Sequence, residues 1–557
     1  MIRKITLAAS VALLAGCGGG DINLTPTNID NSVDNSTSTG GGGSNNPCAN
    51  YQDPASNTLI QGTFDGTNCT YTSDFVGENN PLTVDLTIPF ISGVHIFEDT
   101  LAIGESIDNT VASPPSVPQD GEGPTVTIRP GNTLAFLDSA DYVLVNRGSR
   151  LVANGSPTAP ITFTAFSDAV LGIAGPQDVS LWGGIQVNGN GITNNCSDTQ
   201  RADGSCGVQT EGIPTFYGGD NNAESSGSLR YVVTKHSGFE VAPGDELNGI
   251  TLNAVGSGTT IDHVEVYSTF DDGIEWFGGA VAVEKVVLLY VRDDSLDYSD
   301  GYVGSITDAL VIQPLLDGNR CIEADNISDT RGGAGESLDT TPTTSPTVTG
   351  LTCIPSMIDE NPGTHGDSEG VLLRLGARSS ISNMVVYDGY GALANPATAA
   401  GNECLELDDG ATRDAAQAGE TTFTASVIAC ATPTQDSLGN GDTVAQFFTN
   451  TGTGTYDFNE VTFDDDGDAA TADVTQANVI IGDANNANVS ILATEDFRVA
   501  GYDPDLDVTT ITIEDGSTVV FPGRLGAVST EDDWTTGWTF GLNEGNRRIP
   551  LYFQTTP

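Results

Sequence analysis

The chain has 557 residues, with 75 acidic side chains against 19 lysines and arginines, and a formal net charge of −56. A surface of that sign repels nucleic acid and anionic lipid, which makes both poor partners, and attracts divalent cations or basic partners, although solubility in a salty medium explains the total charge equally well. Only 17% of the residues are charged while glycines number 67, so the carboxylates are set in many turns and not along charged helices.

Arg3 and Lys4 form a basic start, and the apolar run 5–15 has signal-peptide size, too short to span a bilayer. It ends in Leu13, Leu14, Ala15, Gly16 and Cys17. The segment resembles a bacterial lipoprotein signal, which implies cleavage before Cys17 and acylation of its thiol. Gly18 in the next position implies the outer membrane, with the protein facing the periplasm or the cell surface. The alternative is an ordinary secretory signal with a chance cysteine. Residues 1–16 are then the signal peptide, and 17–47 a Gly/Asn/Ser/Thr-rich tether too polar to bury a core. The lipid chains supply the membrane attachment.

Nine cysteines less Cys17 leave eight, which fall into close neighbours: Cys48 and Cys69, Cys196 and Cys206, Cys321 and Cys353, Cys404 and Cys430. In an oxidising compartment each pair would close a short loop. Metal ligation competes, but no C-x-x-C occurs and there are only four histidines.

From Cys48 onward the chain is too long for one ordinary core, so it is either several domains or a repeat. Short segments rich in Val, Ile, Leu and Thr, bounded by Gly, Asn, Asp or Pro, recur at 125–128, 142–145, 161–164, 229–233, 261–266, 283–289 and 381–386. Helical periodicity is nearly absent; the best stretch, 414–419, is barely more than a turn. This is an all-β chain.

One stretch matches itself. Residues 263–276 align with 285–298 at an offset of 22, placing Val264 with Val286, Val266 with Leu288, Ile274 with Leu296, Glu275 with Asp297 and Trp276 with Tyr298. Two short strands per period suit one turn of a parallel β-solenoid, whose equivalent positions stack about 4.8 Å apart. Looser copies appear at 321–324 and 404–407, and at 370–373 without the acid. A β-propeller is the rival, but it needs a longer period and a blade signature that is not found.

The segments 246–261, 271–279 and 293–301, with 125–131 and 180–185, resemble a family of secreted right-handed parallel β-helix lipoproteins of Gram-negative bacteria, within the pectin-lyase-like superfamily. The resemblance implies a fold and a location only. It gives 48–119 as an N-terminal cap or irregular β region, 120–490 as the parallel β-helix, and 491–557 as C-terminal coils and cap.

If the register holds, Glu275 and Asp297 point to one side of adjacent coils, and Asp271, Asp272, Asp293 and Asp294 crowd the preceding turn. Like charges at strand spacing repel unless a cation intervenes. Asp300 adds a further oxygen, so Ca²⁺ is the candidate ion, held by Asp271, Asp272, Glu275, Asp293, Asp294, Asp297 and Asp300. Aspartates chosen for turn chemistry are the competing explanation. A weaker cation candidate is the acidic run 464–468. Catalysis by paired carboxylates, such as 271–272, 293–294 or 408–409, would need a partner base; Arg292, Arg374 and Arg378 are the nearest in sequence, and no pattern selects among them. His365 reads as a surface-loop residue, His236 and His263 as structural, Trp276 as core, and the turn-rich segment holding Trp534 and Trp538 as a cap.

The expected function is a non-catalytic, outer-membrane-anchored β-helix that binds a ligand or partners an outer-membrane receptor or transporter. The alternatives are a Ca²⁺-assisted polysaccharide lyase or hydrolase, and a structural adhesin or surface-layer component. Replacing Cys17 by Ser is expected to shift the expressed protein from the detergent phase to the aqueous phase on detergent partitioning; an unaltered protein already found in the aqueous phase would contradict the anchor.

Overall fold

A computed structural model describes residues 46–242, 245–314, 317–356, 365, 368–387, 403–429, 461–463, 479–482, 497–512, 518–547 and 551. The signal, Cys17, residues 17–45 of the tether, the acidic run 464–468 and Cys430 lie outside the described residues.

Strands pair with their equivalents one coil away, and almost all of these pairings are parallel. Thr260–Tyr267 pairs with Ala282–Leu289 in the 22-residue register, Val264 opposite Val286 and Val266 opposite Leu288. Ile274–Phe277 pairs with Leu296–Ser299 in the same register. A small sheet runs through Leu101–Ile103, Val143–Val145, Ile185–Asn188, Ile250–Asn253, Ile274–Phe277, Leu296–Ser299, Arg320–Asp325, Glu369–Arg374 and Leu405–Leu407. The larger sheet contains the long strands Gly227–Lys235, Thr260–Tyr267, Ala282–Leu289, Ser305–Ile312 and Thr347–Ile354.

These long strands are bent at one residue each. Tyr231, His263, Lys285, Asp308, Gly350, Asn383 and Ala425 occupy the same rung position and all have φ between 49° and 74°. A left-handed residue turns the chain without breaking the ladder on either side, although for residues other than glycine it is an uncommon conformation. Two more left-handed columns, His236/Ser268/Tyr290 and Ala254/Gly278/Asp300, mark the other corners. Each of these coils therefore has three strand segments and three corners.

Alternate side chains point inward and build apolar ladders: Ile250, Ile274, Leu296, Ile322, Val371 and Leu405 on the small sheet, with Ile261, Val283, Ile306, Val348, Ile381 and Phe423 on the larger one. Trp276 belongs to this interior. Tyr71, Phe97, Phe136 and Trp182 stack successively along it at ring separations of 4.8, 5.5 and 4.6 Å. Cys48–Cys69, Cys196–Cys206 and Cys321–Cys353 are disulfides, and Cys404 is disulfide-bonded as well.

Three boundaries differ from the sequence expectation. Parallel stacking begins upstream of residue 120, where Cys69–Tyr71 pairs with Val94–Phe97 and Leu86–Ile88 with Thr125–Ile128; three- and four-residue strands between Pro, Gly and Asp turns carry too little pattern to show a period. The helix read at 414–419 is Gly410–Gln417, because the Asp409 side chain accepts the N–H groups of Ala411 and Thr412 and starts it earlier. The described part of the segment expected to cap the C-terminal end, 497–512 and 518–547, instead lies along the outer face of the larger sheet. That face is apolar, with Val287, Leu289, Leu310, Ile312 and Val385 meeting Phe497, Val499, Phe521, Leu525 and Trp538, so it needs a cover of its own.

Leu288 is fully buried in the interior ladder. Leu288→Ala is expected to cost about 2–5 kcal/mol of stability, and Thr260→Ala on the outside less than about 0.5 kcal/mol. Denaturant midpoints of the two variants check this.

Candidate functional site

The acidic residues gather where the chain turns into the small sheet. At that corner a side-chain ladder climbs from coil to coil: Asn248 Oδ1 accepts the N–H of Asp272 at 3.1 Å, Asp272 Oδ1 that of Asp294 at 3.0 Å, and Asp294 Oδ1 that of Arg320 at 2.8 Å. Each carboxylate satisfies a buried backbone donor that the strand ladder leaves over. Turn chemistry thus accounts for one oxygen of Asp272 and one of Asp294.

Just beyond the corner, the outward column of the small sheet reads Thr251, Glu275, Asp297, Glu323, Leu372 and Glu406. Asp271, Asp272 and Asp293 bring carboxylate oxygens within 4.8 Å of one another, and so do Asp272, Glu275 and Asp297. Asp272 belongs to both trios. Asn248 Nδ2 donates to Glu275 at 2.5 Å. Asp297 Oδ1 is buried without a hydrogen-bond partner.

Downstream the negative rungs are neutralised by arginine. Arg320 contacts Glu323 at 2.7 Å, Glu369 at 3.1 Å and Asp294 at 3.7 Å, while Arg374 pairs with Glu323 and with Asp325 at 2.9 Å. Upstream, among the described residues, neither trio has a lysine or arginine in direct ion-pair contact. Asp300 stands apart from the others, at a different corner, held by Arg331 at 2.7 Å and by Asn195.

Burial first, and the neighbouring carboxylates second, push the carboxyl groups of Asp271, Asp272, Glu275, Asp294 and Asp297 well above their ordinary range. Glu211 and Glu246, carried in by loops outside the coils, add to the repulsion on Asp271. Glu406, at the end of the column, is pushed up to about 7 by burial and by Glu369.

His365 is not a surface residue. Its side chain is 7% exposed, its Nδ1 lies 2.8 Å from Asp293 Oδ2, and its ring meets the Phe270 ring edge-on at 5.0 Å. Burial opposes its positive charge, but the bond to Asp293 and the nearby charges of Asp293, Asp317 and Glu246 hold its pKa above the usual value. The isolated sequence Thr364, His365, Gly366 gives no hint of this contact across the fold. His236 is buried and bonded to the Asp178 carbonyl at 2.6 Å, and His263 stacks on Tyr231 at 4.3 Å, both in packing roles. The arginines weighed as bases are all engaged with carboxylates: Arg292 with Asp317, Arg374 as above, and Arg378 with Asp339 and Glu420.

A family model described as a pectate-lyase-like β-helix domain matches residues 119–539. The chain belongs to that family. No curated protein and no solved structure matches it. For this β-helix the distinctive chemistry is a set of hard oxygen donors in two interlocked trios, the donor type suited to Ca²⁺. The residues present fit such an ion: the oxygens already converge, and Asp297 Oδ1 lacks any other partner.

A carboxyl group whose folded-state pKa is raised binds its proton more tightly in the native state, so its contribution to stability is present at low pH and is lost as the pH rises through the folded value. In chelator, the thermal midpoint is expected to fall as the pH is raised above about 5, past the ordinary carboxylate range. Asp297→Asn is expected to raise the midpoint at neutral pH under the same conditions. A midpoint that climbs with pH, or a variant less stable than the parent, would contradict the unneutralised cluster.

Proposed function

We propose that the protein is a lipid-anchored, non-catalytic binding β-helix that takes a divalent cation, Ca²⁺ foremost, on its acidic rungs and uses it to hold an outer-membrane partner or a glycan. The observation that carries the reading is the pair of carboxylate trios sharing Asp272, in which, among the described residues, His365 pairs with Asp293 and no lysine or arginine makes a direct ion pair. Asp271, Asp272, Glu275, Asp293 and Asp297 would hold the ion. It would cancel the repulsion between adjacent coils and offer its remaining coordination positions to oxygen donors of a ligand. Cys17, through its lipid, would keep that surface beside the membrane.

The family match favours a second reading, a Ca²⁺-assisted polysaccharide lyase. A lyase needs a basic side chain free to take a proton beside the ion. His365 is committed to Asp293, and Arg320 to Asp294, Glu323 and Glu369, which is why the binding reading is preferred.

Metal analysis of the purified protein is expected to find a retained divalent ion, and Ca²⁺ to raise the thermal midpoint of the chelated protein by several degrees, an effect lost in Asp272→Asn and Asp297→Asn. No retained ion, together with a midpoint indifferent to chelator and Ca²⁺, sinks the cation site. Release of unsaturated, ultraviolet-absorbing products from an anionic polysaccharide would move the assignment to the lyase.

A further inference from the structure

Three ionisable side chains meet at the end of the strand Gly227–Lys235, away from the acidic rungs. Lys235 Nζ contacts Asp168 Oδ2, and the two side chains are 9% and 3% exposed. Asp168 comes from the short helix Phe166–Ala169, which follows the strand Ile161–Ala165 and so lies beside Gly227–Lys235. Across the next rung Val233 stands opposite Glu265 and Lys235 opposite Tyr267. Lys235 and Glu265 are therefore diagonal neighbours on the outer face of the larger sheet, a separation that long side chains bridge. Glu265 is fully buried. Phe540 of the C-terminal segment closes the group from outside: its N–H donates to Glu265 Oε2 at 2.6 Å, and its ring centroid lies 4.2 Å from Lys235 Nζ.

The pair differs from the others in the chain. Elsewhere among the described residues carboxylates pair with arginine or histidine. Here the cation is one of only three lysines, at 4, 235 and 285, and a lysine nitrogen becomes a nucleophile once it loses a proton. Burial opposes the charge on Asp168, but Lys235 holds its carboxyl below the usual range, so the starting state is ammonium against carboxylate. Glu265 is the reverse case: burial pushes its carboxyl well above the usual range, and its Oε1 is buried without a hydrogen-bond partner. It is a proton carrier beside the pair. Both reacting groups are also held in place, since the Thr164 hydroxyl donates to Asp168 Oδ2 at 2.8 Å and Trp182 Nε1 to the Lys235 carbonyl at 2.7 Å.

We infer that Lys235 and Asp168 become joined by an amide bond between Nζ and Cγ, formed inside the folded protein with Glu265 relaying the protons. Ammonium and carboxylate together hold the atoms of one amide and one water, so no further reactant is needed. Glu265 gives its proton to the Asp168 carboxylate and takes one from the ammonium, which leaves a neutral amine facing a neutral carboxyl. The nitrogen attacks Cγ, its surplus proton passes by way of Glu265 to the departing hydroxyl, the Cγ–O bond breaks and water leaves. Glu265 ends protonated, as it began. The product is a neutral amide in place of two charges deprived of water, and this favours completion in a buried site. The bond closes a chain separation of 67 residues and ties the coil of Ile161–Ala165 to that of Gly227–Lys235.

The test is peptide mapping by mass spectrometry of the whole mature protein and of two variants. In the parent, the peptides holding Asp168 and Lys235 are expected to appear joined, lighter than their sum by one water, with no cleavage by trypsin after residue 235. Lys235→Arg keeps the charge pair but is expected to give separate peptides and a thermal midpoint several degrees lower. Glu265→Gln keeps an oxygen for the Phe540 N–H and is expected to be folded by circular dichroism, with the joined fraction reduced at least tenfold. Separate peptides of unaltered mass from the folded parent overturn the inference. Joined peptides at the parental level in Glu265→Gln overturn the role given to Glu265. Chelator is expected to leave the joined fraction unchanged, so the result stands apart from that of the cation site.

Discussion

Everything in this molecule follows from parallel strands stacked in register, one coil on the next. At about 4.8 Å per rung a side chain touches its own equivalent above and below. For an inward isoleucine or valine this is favourable, since like packs against like and a continuous apolar column leaves water. For an outward carboxylate it is unfavourable, because the repulsion is repeated at every coil. The chain meets that second consequence in two ways. Arg320 and Arg374 sit among the rungs of Glu323, Asp325 and Glu369, whereas the rungs of Glu275 and Asp297 keep their carboxylates together without such a partner. The difference between these neighbouring stretches of one sheet gives the upstream stretch its chemical character.

Corners decide where those side chains stand. A coil can close only if the chain turns sharply at the same place in each repeat, and the three left-handed columns do this while the flanking strands keep their pairing. At the entrance to the small sheet, backbone donors left over by the turn are taken up by Asn248, Asp272 and Asp294. One structural need therefore places the first carboxylates, and the strand register delivers the next ones, Glu275 and Asp297, within reach of them.

Between residues 260 and 300 the coil could be read from the sequence because two successive repeats have the same length and matching residue types, from Val264 and Val286 to Trp276 and Tyr298. Elsewhere the loops differ in length, and strands such as Leu86–Ile88 are too short to reveal a period by themselves. The left-handed corners were illegible for a different reason: Tyr231, His263, Lys285 and Ala425 have ordinary side chains, and only the surrounding fold imposes their backbone conformation. The acidic cluster was legible as repeated Asp-Asp pairs. Its other members were not, since Asn248, Arg320 and His365 come from separate coils or from a loop, and Asp300, one residue past the strand that carries Asp297, is turned by its corner toward Arg331. Residues 497–547 have the turn-rich composition of a cap, and nothing local distinguishes a segment that closes an end from one that lies along a side.

That last segment alters how the coils depend on one another. In a simple solenoid each repeat meets only its neighbours, so damage at one place is felt chiefly next door and ends can fray one coil at a time. Here a single stretch of chain ties itself to widely separated coils: Phe540 donates to Glu265, Arg524 pairs with Asp308, Ala527 donates to Thr352, and Asn383 donates to the carbonyls of Pro522 and Arg524. It works as a splint. Contacts to coils from Thr260–Tyr267 to Ser380–Ser382 run through this one stretch of chain, so it couples them beyond the nearest-neighbour contacts of the stack.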